Sequence, residues 1–203
     1  MKISEIFYSI QGEGKSQGVP CLFIRLAGCN LRCRWCDTEY ALTGGTEMSA
    51  DAIITEVMRT NPSHICITGG EPLLQTDALL PLLAELRKKK ISIEIETNGT
   101  LDFSRLQPFA SICMDVKCPS SGEESDLSLL KMIRAEDSVK FVVCGEDDCR
   151  YALEVMNLYP IAGGVFFSPV FGGDTEPIVA FILKNSLPVR FQLQLHKILG
   201  VKR

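Results

Sequence analysis

The chain predicts an α/β fold: an incomplete (β/α) barrel of about six or seven mostly parallel strands, in a single domain of residues 1–203. Three observations lead there. Short apolar runs alternate with segments of helical periodicity, the pattern of repeated βα units and a parallel sheet. Six or seven such runs are too few for the eight of a closed barrel. Every conspicuous polar motif falls just after a run, at the end of the sheet where such folds gather their functional loops.

The strand candidates are residues 21–26, 64–68, 91–96, 112–116, 139–143, 165–167 and 189–194. Between them lie helix candidates at 49–59, 76–89, 127–134, 147–159 and 176–184. Ser49, Asp77, Asp126 and Asp147 stand where an N-cap is expected, and Pro177 suits a first helical turn. Pro81 is expected to shorten the second helix.

Composition narrows the class. With 46% hydrophobic residues, the chain is an ordinary globular protein with material for a substantial core. A net charge of -4 offers no basic field for nucleic acid. The basic stretch Arg87 to Lys90 reads as the solvated last turn of a helix. No apolar run reaches the ~20 residues of a membrane span, and the start, Met-Lys-Ile-Ser-Glu-Ile, lacks the apolar core of a signal peptide. A cytoplasmic location and a small-molecule substrate are expected.

Nine cysteines in a chain read as cytoplasmic point to metal ligation or buried thiols rather than disulfides. Cys29, Cys33 and Cys36 form a C-x3-C-x2-C tripod. Three thiolates can hold three irons of a 4Fe-4S cubane and leave the fourth iron open to a non-protein ligand. Structural zinc usually closes four ligands, and neither a second cysteine pair nor a neighbouring histidine is at hand, His64 and His196 being the only histidines. Cys21, Cys66 and Cys113 sit in apolar runs as small hydrophobes. Cys118, Cys144 and Cys149 have no evident role, and a second cluster is not expected of them.

The other motifs follow in order. Tyr8-Ser-Ile-Gln11-Gly12-Glu13-Gly14 reads as a glycine loop exposing an amide and a carboxylate. Phe23-Ile-Arg25-Leu-Ala-Gly28 leads into the tripod, within which Trp35 is placed to shield the bound group and Asp37-Thr38 follows the last cysteine. Thr68-Gly69-Gly70-Glu71-Pro72 allows a tight turn and close backbone approach to a ligand. In Glu94-Ile-Glu96-Thr-Asn98-Gly99, alternation places Glu94 and Glu96 on one face and Ile93 and Ile95 on the other. Asp115-Val116-Lys117 ends a strand, where its charges could equally form a surface ion pair. Gln192-Leu-Gln194-Leu-His196-Lys197 lies near the end.

The tripod, with Gly-Gly-Glu-Pro behind it, resembles the radical S-adenosylmethionine (SAM) enzymes. The ordered set from Ser9 to Lys197 resembles, within them, the 7-carboxy-7-deazaguanine synthase family. That resemblance implies a partial barrel of the radical SAM type. It also implies a lyase converting 6-carboxy-5,6,7,8-tetrahydropterin to 7-carboxy-7-deazaguanine with loss of ammonia, in 7-deazapurine or queuosine-type biosynthesis. Implied cofactors are a 4Fe-4S cluster on Cys29, Cys33 and Cys36, SAM, and Mg2+ on Thr38. SAM would contact Trp35, Cys36, Asp37, Gly70, Glu71, Glu96, Asn98, Asp115, Val116 and Lys117. Gln11, Gly12, Glu13, Arg25, Thr68 and His196 would bind the pterin, with Arg25 and His196 positioning it and no catalytic residue beyond the cofactor. A flavodoxin or ferredoxin as electron donor and a homodimer are also implied. Two other readings stand beside this one: a glycyl-radical activating enzyme, which shares the cysteine spacing, and a noncatalytic iron-sulfur or zinc module.

Overall fold

The structure is a computed structural model that describes residues 1–202. Its elements are β1 (Lys2–Ile10), β2 (Pro20–Leu26), β3 (Thr46–Glu47), α1 (Ala50–Thr60), β4 (His64–Gly69), α2 (Thr76–Lys88) and β5 (Ser92–Thr97). There follow β6 (Ser111–Val116), β7 (Ser138–Val143), α3 (Glu146–Leu158), β8 (Gly164–Pro169), α4 (Glu176–Lys184), β9 (Arg190–Phe191) and α5 (Leu195–Leu199). One nine-stranded sheet takes the order β3-β1-β2-β4-β5-β6-β7-β8-β9. From β2 to β9 all neighbours are parallel, which makes the seven expected strands. Two antiparallel additions, β1 and β3, extend the edge. Strand β1 escapes a periodicity reading because its register slips between Ile3 and Glu5, which breaks the in-out alternation.

Alternate residues along the parallel strands divide the molecule into two chemistries. One face carries Ile24, Leu26, Ile65, Ile67, Ile95, Met114, Val139 and Phe141, which pack under Ile53, Val57, Leu79, Leu83, Ala152 and Phe181 of the helices. Arg25, Thr68, Glu96, Cys113 and Lys140 line a cleft on the opposite, concave face. Strand register puts Arg25 beside Thr68 and Glu96 beside Cys113. Beneath this polar layer a small apolar plug forms from Cys21, Phe23, Cys66 and Phe7, whose ring stacks on Phe23 at 5.0 Å.

Several local expectations need correction. Residues 127–134 are not an α-helix: Leu127–Met132 forms a 3-10 turn, although Asp126 does cap it by accepting from Ser128 N at 2.9 Å. Ser49 caps α1 as expected. Asp77 does not cap α2 but pairs with Arg105 at 2.8 Å. Asp147 lies inside the first turn of α3, where Asp148 instead accepts from Cys144 N at 2.8 Å and from Ser120. Pro81 sits within an unbroken α2, because the carbonyl left without its donor belongs to exposed Asp77, where water serves it. Strand β9 covers only two of the six residues expected, and residues 192–194 leave the sheet for the site.

Asp137 fastens β7 to β6. Its fully buried carboxylate accepts from Ile112 N and Arg134 N, both at 2.9 Å, from Arg134 Nε at 3.0 Å and from Gln107 at 2.9 Å. Burial alone would raise its pKa, but Arg134 and the backbone donors outweigh it and hold the carboxyl below its ordinary value. A depressed folded-state pKa contributes stability that is present above the unfolded value of about 3.9 and lost as pH falls through the folded one. Asp137→Asn is therefore expected to cost about 3 kcal/mol at pH 7 and progressively less below pH ~4. Denaturant unfolding across that range reads the difference.

Candidate active site

The concave face opens into a cleft that is continuous with solvent at its mouth. The loop after β2 brings Cys29, Cys33, Trp35, Cys36, Asp37 and Thr38 to the wall. This loop is seated on the turn after β4, where Glu71 N donates to Gly28 O at 2.7 Å and Gly70 N to Leu26 O at 3.1 Å. The approach explains the glycines: a Cβ on Gly70 would meet Gly28 O at 2.1 Å, and Gly69, at φ 146°, would meet Leu26 O at 2.2 Å.

All three loop thiols are half-buried and face the same space. A single zinc at ~2.3 Å from each sulfur would draw them to within ~3.8 Å of one another. Among the described residues, the one group of such donors whose atoms all lie within 4.8 Å is Cys66, Glu94 and Glu96, deeper in the sheet. Three such loop thiols suit a cluster in which each sulfur meets a different iron. Burial pushes the Cys29 and Cys33 thiols up, so iron binding must release their protons. Of the remaining cysteines, Cys144 is exposed, while Cys21, Cys66, Cys113, Cys118 and Cys149 are buried. Burial lifts Cys149 to about 11. The five buried thiols are inert by environment.

Glu71 is fully buried and turned away from the cleft. Its carboxylate takes Leu73 N at 3.0 Å, the Thr97 hydroxyl at 2.8 Å and Asn98 N at 2.7 Å. Burial pushes this carboxyl up while the three donors pull it down, and they tie the turn after β4 to the end of β5. Asn98 is thereby aimed at the tripod, with its Nδ2 at 3.0 Å from Asn30 Oδ1 and 3.9 Å from Cys29 Sγ. Glu71→Ala leaves three buried donors without acceptors and is expected to cost about 3–5 kcal/mol, read as a lowered thermal midpoint.

Asp115 and Lys117 form a half-buried pair at 2.5 Å rather than a surface one, and Asp115 Oδ1 stays buried without a partner. Arg25 is held on one side by Glu5 at 2.9 Å and flanked by the rings of Phe7 and Tyr40 at 5.7 and 5.9 Å. Its Nη2 is buried and has no partner. Glu96 accepts from the Thr68 hydroxyl at 2.9 Å and from Gln11 at 3.2 Å, and Gln11 also reaches Glu94 at 3.3 Å.

A model of the radical SAM superfamily matches residues 23–143. The 7-carboxy-7-deazaguanine synthase of Methanospirillum hungatei is 49% identical over 201 residues, covering 99% of this chain and 86% of that protein. The chain belongs to the 7-carboxy-7-deazaguanine synthase family of radical SAM enzymes. A synthase of the same name from Chlorobaculum tepidum is 41% identical, covering 97% of this chain and 93% of that protein. Among solved structures, QueE from Escherichia coli superposes with a TM-score of 0.78 at 27% identity, over 96% of this chain and 94% of that one. Membership sets aside the activating enzyme and the noncatalytic module, and implies a 4Fe-4S cluster and SAM.

Fifteen of the residues singled out in the sequence line the cleft of this synthase-family chain: Glu13, Arg25, Cys29, Cys33, Trp35, Cys36, Asp37, Thr38, Thr68, Gly70, Glu96, Asn98, Asp115, Val116 and Lys117. Gln11, Gly12, Glu71 and His196 are not among its lining residues. The imidazole of buried His196 packs so closely on Gly12 that a Cβ there would lie 2.0 Å from Nδ1. The structure adds Lys140, Val142, Gln194, Cys113, Leu31 and Leu42 to the lining. A lysine facing inward amid the apolar run 139–143 was the available signal for the first of these.

Proposed function

We propose that the chain converts 6-carboxy-5,6,7,8-tetrahydropterin to 7-carboxy-7-deazaguanine with release of ammonia. The observation that carries this reading is Arg25 Nη2, a buried cationic donor without a partner in a cleft that also holds the three thiols. Such an atom calls for an anion, and the substrate carboxylate supplies one. Bound to the tripod, a reduced cluster with SAM would supply radical chemistry for hydrogen abstraction from the substrate.

The chain's own residues do the rest. Cys29, Cys33 and Cys36 hold the cluster, while Gly70, Asn98, Asp115, Val116 and Lys117 line the part of the cleft assigned to SAM. Glu71 supports that part from behind. Arg25 grips the carboxylate, Glu13 accepts N–H groups of the pterin ring, and Thr68 and Glu96 present a hydroxyl and a carboxylate between them. His196 and Gln11 act from the second layer by fixing the Gln11–Gly14 loop. Trp35, Leu31 and Leu42 cover the site with apolar surface, which keeps water from a radical.

Thr38 begins a 3-10 turn, yet its side chain makes no capping bond there. Its hydroxyl reaches only to 3.8 Å from Cys36 Sγ and lines the cleft, so a hard oxygen is available for Mg2+, with the substrate carboxylate and water completing the shell. Thr38→Ala is expected to weaken the magnesium stimulation of turnover about tenfold and to leave cluster content unchanged. A flavodoxin or ferredoxin donor, a homodimer, a cytoplasmic setting and one domain over 1–203 belong to the same reading. Family membership supports them. No helix among the described residues is long and apolar enough to cross a membrane.

The deciding assay supplies anaerobically reconstituted protein with SAM, Mg2+, a reductant and the carboxypterin. Ammonia and the deazaguanine should appear together. Deoxyadenosine formed while the pterin survives would defeat the substrate assignment.

A further inference from the structure

The loop that carries Glu13 is gripped by residues from the far end of the chain. Gln192 acts on Gly14 as a peptide group would, accepting from its N at 2.7 Å and donating to its O at 2.9 Å. Leu195 N donates to Gly12 O at 3.1 Å, and Gln17 bridges Gly12 O and Leu193 O at 2.9 and 2.7 Å. The Glu13 backbone therefore has little freedom. Its side chain, 1% exposed, is bracketed as well: Gln194 Nε2 donates to Oε1 at 2.7 Å and Lys140 Nζ bonds Oε2.

Two consequences follow from hydrogen-bond chemistry. A carboxylate only accepts, so the end of Gln194 that meets Glu13 is its NH2, and the amide oxygen must point elsewhere. That oxygen, Oε1, is buried and without a partner, and Gln194, Glu13 and Lys140 all line the cleft. A buried acceptor left over beside a carboxylate, itself a group that only accepts, forms an acceptor-rich edge, which fits a ligand edge made of adjacent N–H donors. Lys140, 6% exposed on β7, supplies the charge that allows Glu13 to stay ionised in that enclosure.

We propose that Gln194 contacts the substrate through Oε1, taking one N–H of the 2-amino group of the aminopyrimidinone ring, and that Lys140 is the positioning residue that keeps Glu13 charged and turned toward the neighbouring N–H. This rests on the pterin reading given above and adds to it the determinant of ring-edge specificity. A ring with oxygen in place of the amino group would set acceptor against acceptor and be rejected.

The test uses cluster-reconstituted, SAM-bound, unreduced protein titrated with pterin-6-carboxylate and with lumazine-6-carboxylate, its 2-oxo counterpart, followed by ligand fluorescence. Wild type should prefer the pterin by about 100-fold. Gln194→Leu should weaken pterin binding about 10-fold while leaving the lumazine bound no more weakly than before. Lys140→Met should reduce the preference to about threefold, with Lys140→Arg restoring most of it, whereas a merely structural role would weaken both ligands alike. Equal losses for both ligands in Gln194→Leu, or an intact preference in Lys140→Met, overturn the proposal. A wild type that discriminates while the variants do not differ from it refutes this inference and spares the pterin reading; a wild type that binds neither ligand refutes the pterin reading itself.

Discussion

Cys33→Ala is expected to abolish turnover and to strip the protein of its cluster, lowering iron from about four per chain to near zero and removing the broad visible absorbance. The geometry makes this all-or-none. In a cubane held by three thiolates each sulfur anchors its own iron, so no neighbouring cysteine can substitute. Of the six other cysteines, five are buried and only Cys144 is exposed. Cys144→Ala is the matching control and should keep full iron. A Cys33→Ala protein that retains its iron, and whose reduced EPR signal still shifts on adding SAM, would overturn the assignment of the tripod.

Arg25→Met should weaken substrate binding by roughly 100- to 1000-fold, leaving SAM affinity and the fold intact. Arg25 is 3% exposed, so its guanidinium meets the substrate in a poorly hydrated place where a charge-assisted bond is strong. The variant should fold because Glu5 keeps Lys202 at 2.5 Å and the Tyr40 hydroxyl at 2.8 Å, and methionine fills the slot between Phe7 and Tyr40. Burial would raise the Glu5 carboxyl, but Lys202, Tyr40 and Arg25 together hold it below its ordinary value. With Arg25 gone, two of those three remain. Arg25→Lys should fall between wild type and Met, because one ammonium cannot serve Glu5 and a ligand at once as a planar fork can. Titration by ligand fluorescence, with SAM binding measured separately, checks both; an unchanged pterin affinity in Arg25→Met would sink the role given to Nη2.

The parallel sheet was legible in the chain because its runs are apolar on one face and alternate with segments of helical periodicity, a strong local pattern. Strand β1 was not, since its bulge near Ile3 destroys the alternation that marks a strand. The helix expected at 127–134 tightened to a 3-10 turn although Asp126 capped it, and Pro81 was tolerated because the carbonyl it leaves without a donor belongs to exposed Asp77. Chemistry followed the same division. The tripod, the glycine turn and the polar strand end of Glu94 to Gly99 announce themselves by spacing. Glu71 shows the limit of motif reading: it belongs to the turn, but its carboxylate points into the fold and braces Asn98.

What the order of residues determined alone was the kind of site: three thiols in one short loop and polar groups after each strand, whose period-two alternation obliges one face to be apolar and the other to carry charge. What only the tertiary structure decided was how distant groups meet. Lys140 and Glu13 are separated by 127 positions and Gln194 and Glu13 by 181, yet they form one buried arrangement. Local preferences carry no record of such encounters. They arise because the curled sheet brings its first hairpin loop against the segment leaving β9, and a carboxylate enclosed there requires a cation and a donor, wherever along the chain they originate.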